Sequence, residues 1–197
     1  MNLSVVAAIL AGGRSRRMGT DKALLLFDGT PLIGHVIDRL RDVIPKIVIV
    51  GDNAGGYRRF GLPIFPDPRP DEGPLGGIRT ALVSIDTPLI FCCACDMPFL
   101  ETALVGRLLE LAEQGVAAVV PRLHDEPEPL CAVYAREALP AIETELAAGG
   151  RRIRNALARI PTRYVEEKEL RNFDPELRSF VNVNTPGDLA RIRESSR

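Results

Sequence analysis

The chain reads as an α/β protein built on a mostly parallel, mixed sheet, and three observations predict that class. Short runs that are apolar throughout recur at Val5–Leu10, Ile47–Val50 and 89–95, the pattern of strands covered on both faces. Between them lie longer segments whose apolar residues repeat at helical spacing. Glycine, proline and aspartate punctuate the joints. Strand and helix alternating in this way imply a parallel sheet with helices on both faces.

The elements follow in order. Residues 5–10 form a buried strand that stops at Gly12-Gly13. Thr30-Pro31 reads as an N-cap followed by proline in the first helical turn, and Leu32, Ile33, Val36, Ile37, Leu40 and Val43 make one apolar stripe behind it. A second strand at 47–50 ends at Gly51-Asp52-Asn53, and 62–65 is a weaker third strand. The proline-, aspartate- and glycine-rich stretch 66–74 opens a helix carrying Leu75, Ile78, Leu82 and Ile85. The fourth strand, 89–95, ends in Asp96, and an amphipathic helix is expected over 99–112.

Strands at 117–120 and 130–134, joined by the polar loop 122–129, are candidates for an antiparallel pair, which makes the sheet mixed. Helices at 138–146 and 153–157, extended pieces at 163–165 and 180–183, and a last helix over 186–193 complete the chain. No repeat or low-complexity linker interrupts it, so residues 1–197 are expected to form a single domain.

Composition narrows the function. The net charge of −1 gives no global attraction to nucleic acid or to an anionic membrane, so neither is an expected partner and any polyanion site must be local. The longest apolar runs are far short of the roughly 20 residues of a membrane helix. Residues 5–11 lack the basic start of a signal peptide. Four cysteines, three of them within 92–95, do not resemble a secreted disulfide framework, and a cytoplasmic protein is the expectation.

Ligands of open α/β sheets sit beyond the carboxyl ends of the strands. There the first strand delivers the loop 12–22, the third delivers Asp67 and 73–77, and the fourth delivers Asp96. The glycines of the loop let backbone N–H groups approach a ligand. Arg14, Arg17 and Lys22 add the cations a triphosphate needs. The loop is neither a Walker A sequence nor a dinucleotide fingerprint. Asp96 suits magnesium, which takes one or two protein carboxylates together with phosphate oxygens and water; its competing role is an N-cap for the segment beginning near Pro98.

Cys92 and Cys95 have Cys-x-x-Cys spacing, but strand alternation sends Cys92 and Cys93 to opposite faces, and too few further ligands stand nearby for zinc. Buried free thiols are expected, and His35 and His124 are expected on the surface.

These motifs together are specific. Leu10-Ala11-Gly12-Gly13, with Ser15, Arg17-Met18-Gly19 and Asp21-Lys22, resembles the signature of the molybdenum cofactor nucleotidyltransferases. Residues 73–77, 95–98 and 180–186 recur in the same order in the molybdenum cofactor guanylyltransferases, so the resemblance covers nearly the whole chain.

The resemblance implies a Rossmann-like, three-layer nucleotidyltransferase fold. It also implies an enzyme that joins GMP from GTP to the terminal phosphate of molybdenum-molybdopterin and releases pyrophosphate, with Mg2+ as cofactor. It implies that Leu10, Ala11, Gly12, Lys22, Asp67 and Asp96 bind nucleotide and that Asp96 also holds the metal; the loop's own chemistry adds Gly13 and Arg14 to the binding set and makes Lys22, Arg17 and Asp96 the residues expected to carry the chemistry. Asn182 and Asn184 match a segment on the pterin side. Related sequences have asparagine directly after the second strand where this chain has Gly51, so Asn53 is the candidate substitute. Molybdoenzyme apoproteins or their chaperones are the implied recipients of the product.

The competing readings are a CTP-dependent transferase on the same pterin, a sugar-phosphate nucleotidyltransferase, and a nucleotide-binding regulatory module without turnover. Lys22 and Asp96 together argue against the last, since binding alone needs no metal-orienting carboxylate.

Overall fold

The computed structural model describes residues 4–12, 21–112, 115–183 and 188. Its centre is an eight-stranded sheet. In chain order the strands are β1 (Val5–Leu10), β4 (Ile47–Val50), β5 (Ile64–Phe65), β6 (Leu89–Ala94), β7 (Ala118–Leu123), β8 (Glu126–Pro127), β9 (Cys131–Ala135) and β10 (Thr162–Glu166); β2 (Leu26–Phe27) and β3 (Thr30–Pro31) form a separate hairpin. The main sheet runs β10-β7-β9-β6-β1-β4-β5, with β8 folded back on β7. β1 is parallel to both β4 and β6, and β9 is antiparallel to both β6 and β7. The sheet is therefore mostly parallel with two reversed strands, β9 and the short β8, as the polar loop 122–129 suggested for β9.

Alternation along β1 builds the three layers. Ala7 and Ile9 face one core with Ile33, Val36, Ile37 and Leu40 of α1 (Leu32–Arg41) and Leu104, Val105 and Leu108 of α4 (Thr102–Ala112). Val6, Ala8 and Leu10 face the other core, with Leu75, Ile78 and Leu82 of α3 (Gly73–Ser84), Ile142 of α5 (Leu139–Ala147) and Leu157 of α6 (Ile153–Leu157). Cys92 and Cys93 divide between the two cores as alternation requires. Short helices α2 (Ala54–Tyr57) and α7 (Glu167–Leu170) complete the fold. No helix among the described residues is long and apolar enough to cross a membrane.

Chain order places a switch point at β1. From β1 the chain moves outward to β4 and β5, then returns across β1 to lay down β6 on the other side. Loops leaving β1 and β6 part at their carboxyl ends and open a crevice there.

Four expectations are corrected. Thr30 is not an N-cap: it pairs with Phe27 in the hairpin, Pro31 stands at the cap position, and the Leu32 N–H is satisfied by the Leu25 carbonyl at 2.9 Å. α4 begins at Thr102 rather than 99, because residues 97–100 form a turn closed by Leu100 N–H on the Met97 carbonyl. Residues 180–183 are not a strand; a 3-10 turn at Arg178–Phe180 leads into an irregular stretch whose backbone bonds to the Asp96 loop instead of a sheet edge. His35 is partly buried, with Nε2 2.8 Å from the Phe27 carbonyl and its ring tilted on Phe27. Of the helix expected over 186–193 only Asp188 is described, and it is helical.

Candidate active site

The crevice is built from the ends of β1 and β6. Leu10, 9% exposed, accepts a hydrogen bond from the Cys95 N–H at 3.2 Å, so the last residue of β1 is tied directly to the residue before Asp96. The Ala11 N–H bonds the Val50 carbonyl at 2.8 Å. Gly51 follows from this crossing: a Cβ there would lie 2.2 Å from the Ala11 carbonyl oxygen, so only glycine permits the two loops to pass. That contact explains why no asparagine stands directly after β4.

Lys22 and Asp96 meet in the crevice. The Lys22 ammonium donates to Asp96 Oδ2, and both side chains are mostly buried. Asp96 Oδ1 is buried with no hydrogen-bond partner among the described residues. An ionised carboxylate oxygen left bare at such depth is costly unless a cation or donor supplies the missing contact. Because α4 starts six residues later, Asp96 does not cap it. Among the described residues no group of three or more histidine, cysteine or acidic side chains gathers to hold a metal. Asp96 therefore fits a cation completed by phosphate oxygens and water.

Asp21 fastens the described end of the loop. Its Oδ1 accepts from the Ala23 N–H at 3.1 Å and caps the 3-10 turn Lys22–Leu24, while Oδ2 accepts from Asn53 Nδ2 at 2.6 Å. The Tyr57 hydroxyl lies 2.8 Å from the same Oδ2 and 2.9 Å from the Ala11 carbonyl. Asn53 in turn caps α2 by accepting from the Gly56 N–H at 3.1 Å. Both ends of the Asn53 amide are thus engaged inside the protein. Tyr57, 1% exposed, had no signal of its own in the sequence; Asp21 stood within the signature.

Asp67 lies beyond β5. Its N–H donates to Asp52 Oδ1 at 3.1 Å, and its Oδ1 accepts from the Thr80 hydroxyl and the Arg69 N–H, each at 3.1 Å. Val183 N–H donates to the Asp96 carbonyl at 3.0 Å, which sets the exposed Asn182 one residue from that bond. Leu10, Ala11, Lys22, Asp96 and Asn182 are thus linked at the carboxyl ends of β1 and β6, with Asn53 tied to them through Asp21 and Asp67 tied to Asp52 beyond β4. Gly12 is exposed at the end of the described loop segment. Gly13, Arg14, Arg17 and Asn184 lie outside the described residues.

The four cysteines are free and buried. Burial pushes every one of their thiols upward, and Asp96 adds to the effect at Cys95. Thiols buried and held protonated in this way are poor metal ligands and poor nucleophiles.

A three-layer fold with a lysine meeting a strand-end aspartate at its switch point fits a nucleotidyltransferase. Comparison with known proteins carries this further. The family model described as the MobA-like NTP transferase domain matches residues 7–163, and the chain belongs to that family. It is similar to the molybdenum cofactor guanylyltransferase of Syntrophotalea carbinolica, 36% identical over 188 residues covering 95% of this chain and 90% of the relative. The enzyme of the same name from Desulfosudis oleivorans is 37% identical, covering 94% and 93%.

Among solved structures, molybdopterin-guanine dinucleotide biosynthesis protein A from Archaeoglobus fulgidus superposes with a TM-score of 0.82 at 32% identity, covering 97% of this chain and 98% of that one. The 2-C-methyl-D-erythritol 4-phosphate cytidylyltransferase of Thermus thermophilus shares the fold, with a TM-score of 0.71 at 18% identity over 100% of both chains. The chain is an enzyme of the nucleotidyltransferase class.

Proposed function

We propose that residues 1–197 act as one domain that transfers GMP from GTP to the terminal phosphate of molybdenum-molybdopterin, forming the guanine dinucleotide cofactor and releasing pyrophosphate. The observation that carries this reading is the meeting of Lys22 with Asp96, whose second oxygen has no partner among the described residues. The names of the relatives favour guanylyl over cytidylyl or sugar-phosphate transfer.

An oxygen of the pterin phosphate attacks the α-phosphorus of GTP; the bond from that phosphorus to its β-bridging oxygen breaks, and pyrophosphate leaves. A phosphate monoester with a second pKa of about 6 is already ionised at neutral pH, so no general base is needed. Rate then comes from positioning and charge neutralisation. Leu10, Ala11, Gly12, Gly13 and Asp67 hold the nucleotide, while Arg14, Arg17 and Lys22 balance its phosphates. Asn53 shapes the base side through Asp21, and Asn182 and Asn184 are assigned to the pterin. Asp96 would hold Mg2+, which would supply charge neutralisation at the phosphates. In the free protein Lys22 occupies Asp96, so loading with nucleotide moves the ammonium from carboxylate to phosphate.

The reaction is placed in the cytoplasm, in keeping with four free thiols, and its product passes to molybdoenzyme apoproteins or their chaperones. Purified protein with Mg2+, molybdenum-molybdopterin and either GTP or CTP is expected to release pyrophosphate with GTP. Equal or faster release with CTP overturns the base assignment, and triphosphate binding without release overturns the transferase reading.

A further inference from the structure

Beside the Asp96 loop lies a strap, residues 174–183, held by four hydrogen bonds. The Asp174 carboxylate, 2% exposed, accepts from the Arg178 N–H at 2.9 Å through Oδ1 and from the Ser179 N–H at 2.8 Å through Oδ2. These bonds close a turn in which Leu177 takes the left-handed conformation, φ 55°, which a branched side chain adopts only when its surroundings compel it. The Ser179 hydroxyl oxygen accepts from the Glu101 N–H at 2.9 Å, and Val183 N–H reaches the Asp96 carbonyl. The strap is thus fastened to the same loop that carries Asp96.

That turn carries Arg178, which is exposed. Its guanidinium carbon sits 5.0 Å from the centre of the Phe99 ring, a cation–π seat. Phe99 follows Asp96 by three residues, so its backbone lies within about 11 Å of the aspartate. Ten other arginines of the described residues sit in ion pairs with carboxylates; Arg178, like Arg39, Arg58, Arg59, Arg151 and Arg152, has no such pair among the described residues, and of these six it alone is seated on the loop that carries Asp96. Transfer brings a phosphate monoester against a triphosphate, and the two anions repel. The lysine and arginines of the nucleotide loop are taken up by the triphosphate, so the acceptor needs a cation of its own.

We propose that Arg178 is a further substrate-binding residue, meeting the phosphate monoester of the acceptor from its seat on Phe99, and that Asp174 is the positioning residue that sets it there. The inference rests on the guanylyl-transfer reading for the identity of the acceptor, but the phosphate chemistry does not depend on the pterin.

Two measurements test it. In the pyrophosphate-release assay, Arg178→Ala is expected to raise the KM for the pterin acceptor about tenfold with the KM for GTP unchanged; Arg178→Lys recovers part of the loss, and Asp174→Asn shifts the same KM in folded protein. A purely structural strap would lower the melting temperature and leave the acceptor KM alone. Independently of turnover, inorganic phosphate is titrated by 31P NMR into protein loaded with a non-hydrolysable GTP analogue and Mg2+. Wild type is expected to bind phosphate about tenfold more tightly than Arg178→Ala. Equal phosphate affinity overturns the proposal whatever the acceptor, whereas a phosphate difference without pterin turnover sustains the site and overturns the acceptor assignment.

Discussion

Asp96 stands at the end of β6 with one carboxylate oxygen on Lys22 and the other buried without a partner among the described residues. A single residue cannot supply both of these environments; one comes from the loop after β1, the other from the depth of the crevice. Asp96→Asn keeps the shape and removes the charge, so magnesium-dependent turnover is expected to fall by about 10²–10³ with an unchanged circular dichroism spectrum, whereas undiminished turnover in folded protein would sink the metal assignment. In the same series Lys22→Ala is expected to weaken GTP binding by calorimetry roughly tenfold or more, the scale of one hydrogen bond to a charged group. Asn53 adds what residue type alone does not give: its amide caps α2 and grips Asp21, which fixes where it stands beside the loop.

Elements decide how those side chains meet. The ends of β1 and β4 cross so closely that Gly51 touches the Ala11 carbonyl, and Tyr57 of α2 reaches back to that same carbonyl. Adding a methyl group with Gly51→Ala pushes two backbones apart at the rim of the nucleotide site. A loss of about 1–3 kcal/mol is expected in urea unfolding, together with a higher KM for GTP; a variant as stable as wild type would show that the crossing relaxes freely. The β2–β3 hairpin and α2 were not foreseen because two-residue strands and a four-residue helix have no period to detect. Similarly, 180–183 has the apolar composition of a strand, but Asp174 and Ser179 turn it toward Asp96 before it can join the sheet.

Across the whole molecule, two cores separated by one sheet hide all four thiols. Burial holds each of them above its ordinary value. A group whose pKa is raised by folding releases its proton first in the unfolded chain, so stability is full below the unfolded value of about 8.5 and declines as pH rises past it. The melting temperature is therefore expected to fall above about pH 8.5, and a thiol reagent at pH 8 to label the cysteines only on unfolding. Rapid labelling of native protein would contradict their burial.

The layer order was legible at the outset, because buried strands are apolar throughout and helices apolar on one stripe: β1, β4 and β6 and the stripes of α1 and α3 stand where periodicity put them. So was the loop with Lys22 and Asp96, since glycine, lysine and strand-end aspartate have few other reasons to share an edge. The contacts between distant segments were not legible. That Lys22 touches Asp96, that Tyr57 and Asp21 brace Ala11, and that the strap fastens to the Asp96 loop depend on strand order and on where the chain reverses across β1. Local sequence pattern encodes the period of each element; the pairing of elements follows from how all of them bury their faces at once.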